Sequence, residues 1–176
     1  MKKKINVFDY AGDIMKALDK GVLITTKADG KVDSMTLGWG TLGIDWSLPV
    51  FTAYIRKSRF TKEQLEKNPE FTVNVPYGAF DPKILGVCGS KSGRDMDKAK
   101  ELGLTLEVIS VPAVKELPLT LECRVVCVEK QDTDTMPEEI LKEHYPSEKP
   151  TPFGGSLENY HYAFYGQIVS AYIIED

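Results

Sequence analysis

Between Leu48 and Pro76 the chain switches backbone period twice, and few folds accommodate the result. Leu48-Pro49-Val50-Phe51-Thr52-Ala53-Tyr54-Ile55 is β-rich and apolar. With alternating side chains, Phe51, Ala53 and Ile55 face a core. Thr52, Tyr54, Arg56 and Ser58 share the other side if the strand stays regular that far. Arg56-Lys57-Ser58-Arg59 then places three cations in four residues. A helix start follows at once, with Thr61 as N-cap and Gln64 completing a capping box. Glu70-Phe71-Thr72-Val73-Asn74-Val75 alternates again and stops at Pro76. The local plan is strand, basic Ser/Thr turn, helix, strand. Cations, hydroxyls and unpaired helix N–H groups converge on one turn, a combination that suits a phosphate. A solvated turn before a capped helix is the plainer alternative.

The rest of the chain is strand-rich with helices inserted. Asp9 to Lys20 puts Ile14, Met15 and Leu18 on one helical face, with Gly21 as the C′ residue. Gly21 to Thr26 reads as a strand, and Ala28-Asp29-Gly30 turns it into a hairpin with Lys31 to Leu37. Gly38-Trp39-Gly40-Thr41-Leu42-Gly43 holds three glycines in six residues. It is either a bulged strand or a place where backbone closely approaches something flat. Short helices are expected at 81–87, 94–102 and 138–145, and strands at 105–109, 119–129 and 162–174. Residues 147–156, with two prolines and two glycines, read as a surface loop. The periodicity predicts one domain over residues 1–176, a mainly antiparallel β-structure with peripheral helices.

Charge and cysteine content narrow the function. A net charge of −4 argues against a nucleic-acid surface. No apolar run approaches the ~20 residues that span a bilayer. Lys2-Lys3-Lys4 lacks an apolar stretch behind it, so a cytoplasmic protein is expected. Cys88, Cys123 and Cys127 fit a reducing compartment; the latter two lie ~13 Å apart along one strand, too far for a disulfide. Buried structural thiols are the expectation for all three. With no Cys-x-x-Cys and only His144 and His161, neither an iron–sulfur nor a zinc site is expected. There is no Walker loop and no Gly-x-Ser-x-Gly elbow, and we expect no dedicated dinucleotide domain.

Taken in order, Val32 to Gly40, Pro49, Arg56 to Thr61 and Glu70 to Pro76 resemble the flavin reductase-like, FMN-binding split-barrel family, above all its flavoredoxin-like branch. Gly89-Ser90-Lys91-Ser92-Gly93-Arg94-Asp95 with Asp97-Lys98 is similar to a segment of that branch. His161-Tyr162-Ala163-Phe164-Tyr165-Gly166-Gln167 looks like its His-x-x-Phe-x-Gly-Glu/Gln strand, with Gln167 where many relatives have Glu. The match runs from about Gly21 to Val169.

The resemblance implies a six-stranded antiparallel split β-barrel that forms a homodimer, with FMN at or near the dimer interface. It implies phosphate and ribityl contacts from Arg56, Lys57, Ser58, Arg59 and Thr61. Ring contacts, largely backbone, fall to Met35, Thr36, Leu37, Gly38 and Trp39. Asn74 and Lys91 are further carried-over FMN contacts. His161 matches a histidine near the flavin and stands as the catalytic candidate; a strand-end surface histidine is the alternative. Trp39 stacks on a ring or packs in the core. The aromatic terminal strand, Tyr160 to Tyr172, covers a flavin, a dimer surface or simply the core. A flavin carries its own redox chemistry. The expected function is therefore a flavoredoxin-like electron carrier or an NAD(P)H-dependent flavin reductase. A flavin-binding protein with little turnover is a third reading.

Overall fold

The computed structural model describes residues 1–107, 109–146 and 158–175. Ten strands and five α-helices occur among them. The chain begins with β1 (Lys2–Lys4), a 3₁₀ turn (Val7–Tyr10) and α1 (Ala11–Lys20). Strands β2 (Val22–Ala28), β3 (Lys31–Leu37), β4 (Gly40–Asp45) and β5 (Leu48–Arg56) follow, then α2 (Phe60–Lys67) and β6 (Glu70–Val75). The second half holds α3 (Lys83–Ser90), α4 (Lys98–Leu102), β7 (Leu106–Glu107), β8 (Ala113–Val114) and β9 (Leu119–Lys130). A 3₁₀ turn (Thr133–Thr135), α5 (Glu138–His144) and β10 (His161–Ile174) complete it.

One eight-stranded antiparallel sheet organises the chain, in the order β3-β2-β6-β9-β10-β5-β4, with β1 added alongside β10. The sheet does not close. Its two ends, β3 and β4, are consecutive in sequence and joined only by Gly38 and Trp39. This is the antiparallel, split-barrel-like architecture expected, with eight strands where six were expected. Two of the eight are short or exposed: β1 is three lysines laid against the end of β10, and β4 forms one edge of the sheet.

Apolar burial explains the rest. Phe51, Ala53 and Ile55 are fully buried, as the alternation of β5 requires, and join Ile14, Leu18, Ile24, Val73, Leu121 and Phe164 in the main core. A smaller cluster under α3 holds Leu23, Ile84, Cys88, Val114 and Leu117. The β2–β3 hairpin turns through Asp29 and Gly30, both at positive φ, the geometry of a type I′ turn. From the aromatic terminal strand, Phe164 and Tyr172 are core residues.

Several boundaries move. The helix expected at 94–102 begins only at Lys98, because the Asp97 side chain accepts from the Lys100 N–H at 3.1 Å and fixes the start there. Of the strand expected at 105–109, Leu106–Glu107 forms β7, and residue 108 lies outside the described residues. The loop expected at 147–156 lies outside the described residues. The capping box is not formed. The helix N-cap is Arg59, and α2 has no side-chain cap. Thr61 is instead buried inside the first turn, its hydroxyl directed to Met35 Sδ at 3.6 Å. Gln64 turns inward to the Thr26 hydroxyl and the Lys31 carbonyl. Satisfying buried polar groups outweighed capping an exposed end.

Candidate functional site

The seam between β3 and β4 is where the predicted residues gather. Met35, Thr36 and Leu37 end β3, and the Thr36 hydroxyl ties them to α3 by donating to Leu85 O at 2.6 Å. Gly38 and Trp39 then leave the strand, and Trp39 O accepts from the Tyr54 N–H at 3.1 Å. The glycine-rich stretch does mark a close approach, but to the neighbouring strand. A Cβ on Gly40 would lie 2.8 Å from Thr52 O. Residues 38–43 also carry Gly-x-Gly-x-x-Gly spacing, yet they lead into β4 and not into a helix. No helix N-terminus waits there for a pyrophosphate.

Beside this turn stands an aromatic and cationic cluster built from strand register. His161 pairs with Arg56 across β10 and β5. The Trp39 ring lies 4.6 Å from the His161 ring, tilted by 30°, and meets His144 edge-on at 4.9 Å. The Tyr145 hydroxyl bonds His161 Nδ1. The Arg56 guanidinium sits over Trp39 and Tyr145, at 5.7 and 5.2 Å from the ring centres. Its two terminal nitrogens donate to Asn159 O and His144 O, each at 3.2 Å.

His161 is only 5% exposed. Burial, reinforced by Arg56 and Arg59, pushes its pKa down to about 3, so the ring is neutral near pH 7. Burial raises Tyr145, with Arg56 opposing.

Two cavities adjoin here. The first, of about 260 Å³, is walled by the Met35–Trp39 run, Tyr54, Arg56, Arg59, Gly89 and His161. The second is a crevice of about 80 Å³ at the start of α2, where Ser58, Arg59, Thr61, Lys91, Ser92 and Arg94 converge. Met35 and Arg59 belong to both walls. Under the crevice lies a buried ion pair, Lys98 Nζ to Asp33 Oδ1 at 2.8 Å, with side chains 2% and 3% exposed. Lys98 also donates to Lys91 O at 3.2 Å, fastening the loop that carries Lys91.

Of the thirteen residues singled out from sequence, the structure brings eleven to these two cavities. Lys57 is exposed on the turn, with its ammonium 5.6 Å from the Tyr160 ring centre. Asn74 is fully buried and fully engaged. It donates to Val114 O, Leu117 O and Thr120 Oγ1 and accepts from the Val114 N–H, pinning β8 to the sheet. Arg56 walls the first cavity rather than the basic crevice. Sequence reasoning missed Tyr54, Gly89, Arg94 and Tyr145. Tyr54 had a signal, since it shares a strand face with Arg56. Tyr145 had none, since its partner is 16 residues away.

Two of the three thiols are buried as expected, whereas Cys127 is half-buried. Cys88 and Cys123 are buried, and burial pushes the Cys88 thiol up to about 11. Among the described residues no cluster is suited to a metal, and no helix is long and apolar enough to cross a membrane.

A basic crevice that shares Met35 and Arg59 with the neighbouring chamber fits a phosphate-bearing flavin in kind. The crevice supplies cations, a hydroxyl and a helix start without a side-chain cap. The chamber supplies backbone and aromatic faces.

Known proteins share this fold. The profile of the flavin reductase like domain matches residues 15–176. The flavoredoxin of Methanosarcina acetivorans is 28% identical, over 88% of this chain and 68% of that one, with a TM-score of 0.63. An FMN-binding domain of a flavin reductase-like enzyme from Shewanella baltica is 18% identical, over 98% and 77%, with a TM-score of 0.64. The flavoredoxin of Desulfovibrio vulgaris is 20% identical, over 88% and 69%, with a TM-score of 0.62. An uncharacterised protein of Archaeoglobus fulgidus is 34% identical over 99 residues, a match spanning 54% of this chain and about half, 55%, of that relative. The chain belongs to the flavin reductase-like family.

Proposed function

We propose that this chain retains FMN and serves as a flavoredoxin-like electron carrier. The observation that carries this reading is the shared wall. Arg59 borders both the basic crevice and the flat chamber, so one molecule with a phosphate at one end and a ring system at the other would span them. Arg59, Lys91 and Ser58, with the first N–H groups of α2, would hold the phosphate. The Met35–Trp39 backbone would face the ring system. Bound FMN would supply one- and two-electron transfer. The protein would hold it, exclude water with Trp39 and Tyr145, and keep a neutral His161 beside the Arg56 charge.

A carrier is favoured over an NAD(P)H-dependent reductase by the economy of cations. Among the described residues, Ser58's crevice gathers Arg59 and Lys91, while Arg94 is ion-paired with Glu63 and bonded to Ser58 O. The adjoining chamber adds only Arg56, already bonded to Asn159 O and His144 O, and among the described residues no lysine or arginine lines the cavity beyond it. Under anaerobic conditions the bound flavin is expected to resist NADH and NADPH and to bleach with dithionite. Bleaching by either nucleotide alone within seconds makes the protein a reductase.

The same reading includes a homodimer in the cytoplasm. Ile44, Trp46, Val126, Val128 and Val169 stand exposed on β4, β9, β10 and the turn after β4, apolar surface suited to a second copy. Light scattering is expected to give twice the chain mass; a monomer at every concentration, with and without FMN, overturns this part.

A further inference from the structure

Beside the flavin chamber lies a larger open cavity, of about 540 Å³. It is formed where α1 and α5 overhang the seam, and it shares Gly38, Trp39 and Tyr54 with the flavin chamber. Its size is that of small-molecule sites, which run to roughly 300–1,000 Å³. Its character is unlike its neighbours'. Met15, Leu18, Met136 and Ile140 line it beside the Trp39 and Tyr145 rings. Single exposed hydrophobics need no explanation, but here Met15, Trp39 and Ile140, 42%, 39% and 43% exposed, crowd one concavity.

Charge selects the ligand class. Among the described residues no lysine or arginine lines this cavity, and its one carboxylate is Asp19. An anion would meet a like charge and no partner, so a nucleotide does not fit. Thioethers and an indole face favour an aromatic ring. The amide of half-buried Gln131 offers both a donor and an acceptor to one polar substituent.

We propose that this cavity binds a neutral aromatic compound of one or two rings bearing a hydroxyl or carbonyl, held against Trp39 beside the flavin chamber. The site goes beyond the flavin reading and does not rest on it, since its walls need no FMN.

The test is calorimetric titration with 2-naphthol, run on FMN-saturated protein and again on the flavin-free chain. Saturable binding is expected, with a Kd on the order of 10–100 µM, and with no loss of bound FMN. Its anionic isostere 2-naphthoate is expected to bind at least about tenfold more weakly. Ile140→Glu and Met15→Glu each change an exposed wall residue, so the fold should persist, as the thermal midpoint will report. Each is expected to weaken 2-naphthol about tenfold or more and to leave FMN affinity within about twofold. The proposal is overturned if 2-naphthol does not saturate, displaces FMN, binds no better than 2-naphthoate, or binds either folded variant as tightly as the parent. A protein that binds 2-naphthol but no FMN would sink the flavin reading alone, so the two failures are distinct.

Discussion

Replacing Arg59 by alanine is expected to weaken FMN binding by about ten- to a hundredfold while leaving riboflavin binding almost unchanged. Arg59 borders both cavities and sits at the N-cap of a helix without a side-chain cap. A charge-assisted contact to phosphate is worth roughly 1.5–3 kcal/mol, which sets the size of the loss. Riboflavin lacks the phosphate, so it isolates that contact from any general damage to the site. Two neighbours serve as controls. Lys57→Ala should change little, because its ammonium lies outside both cavities. Arg56→Ala should weaken FMN and riboflavin alike and lower stability, because it unpairs the carbonyls of Asn159 and His144 and removes a brace from Trp39. Equal losses of FMN and riboflavin in Arg59→Ala would place the phosphate elsewhere in the protein.

The second large effect lies beneath the crevice. Lys98→Met is expected to destabilise the fold by about 3–5 kcal/mol at pH 7, because it strands the buried Asp33 carboxylate. Even in the native protein, burial raises the Asp33 pKa against the opposing pull of Lys98. Without Lys98 the carboxyl would hold a proton in the folded state over a pH range where the unfolded chain releases it. The folded state then binds more protons, so the variant's stability rises as pH falls towards about 4. Asp33→Asn combined with Lys98→Met should recover much of the loss, since no buried charge remains. Urea unfolding at pH 7 and pH 5 measures both effects. A loss under ~1 kcal/mol, or one that grows at pH 5, contradicts the assignment. The lysine also holds the Lys91 carbonyl, so the single variant should bind FMN less well.

How far the sequence carried the structure depended on whether a residue's partner was near in the chain. Strand β5 was legible because its alternation is local: Phe51, Ala53 and Ile55 went to the core and Arg56 to the other face. The hairpin was legible from Ala28-Asp29-Gly30, where turn chemistry is written in the turn itself. The capping box failed because Thr61 and Gln64 had better partners in β2 and β3, which no local pattern reveals. Asn74 failed the same way, since its four bonds reach β8, the loop after it and the neighbouring strand β9. The family resemblance named Met35 to Trp39, Ser58, Arg59, Thr61, Lys91 and His161, which the fold brings to the walls of the two cavities. It did not supply the Tyr145–His161 bond or the Asp33–Lys98 pair, which exist only once β10, α4 and β3 have packed.

On the proposed function, a phosphate-bearing flavin would span the crevice and the chamber. The most direct measurement is to purify the protein, denature it and identify the released chromophore by chromatography. The account predicts a yellow protein that releases FMN and neither FAD nor riboflavin. A colourless protein that also fails to bind added FMN would contradict it.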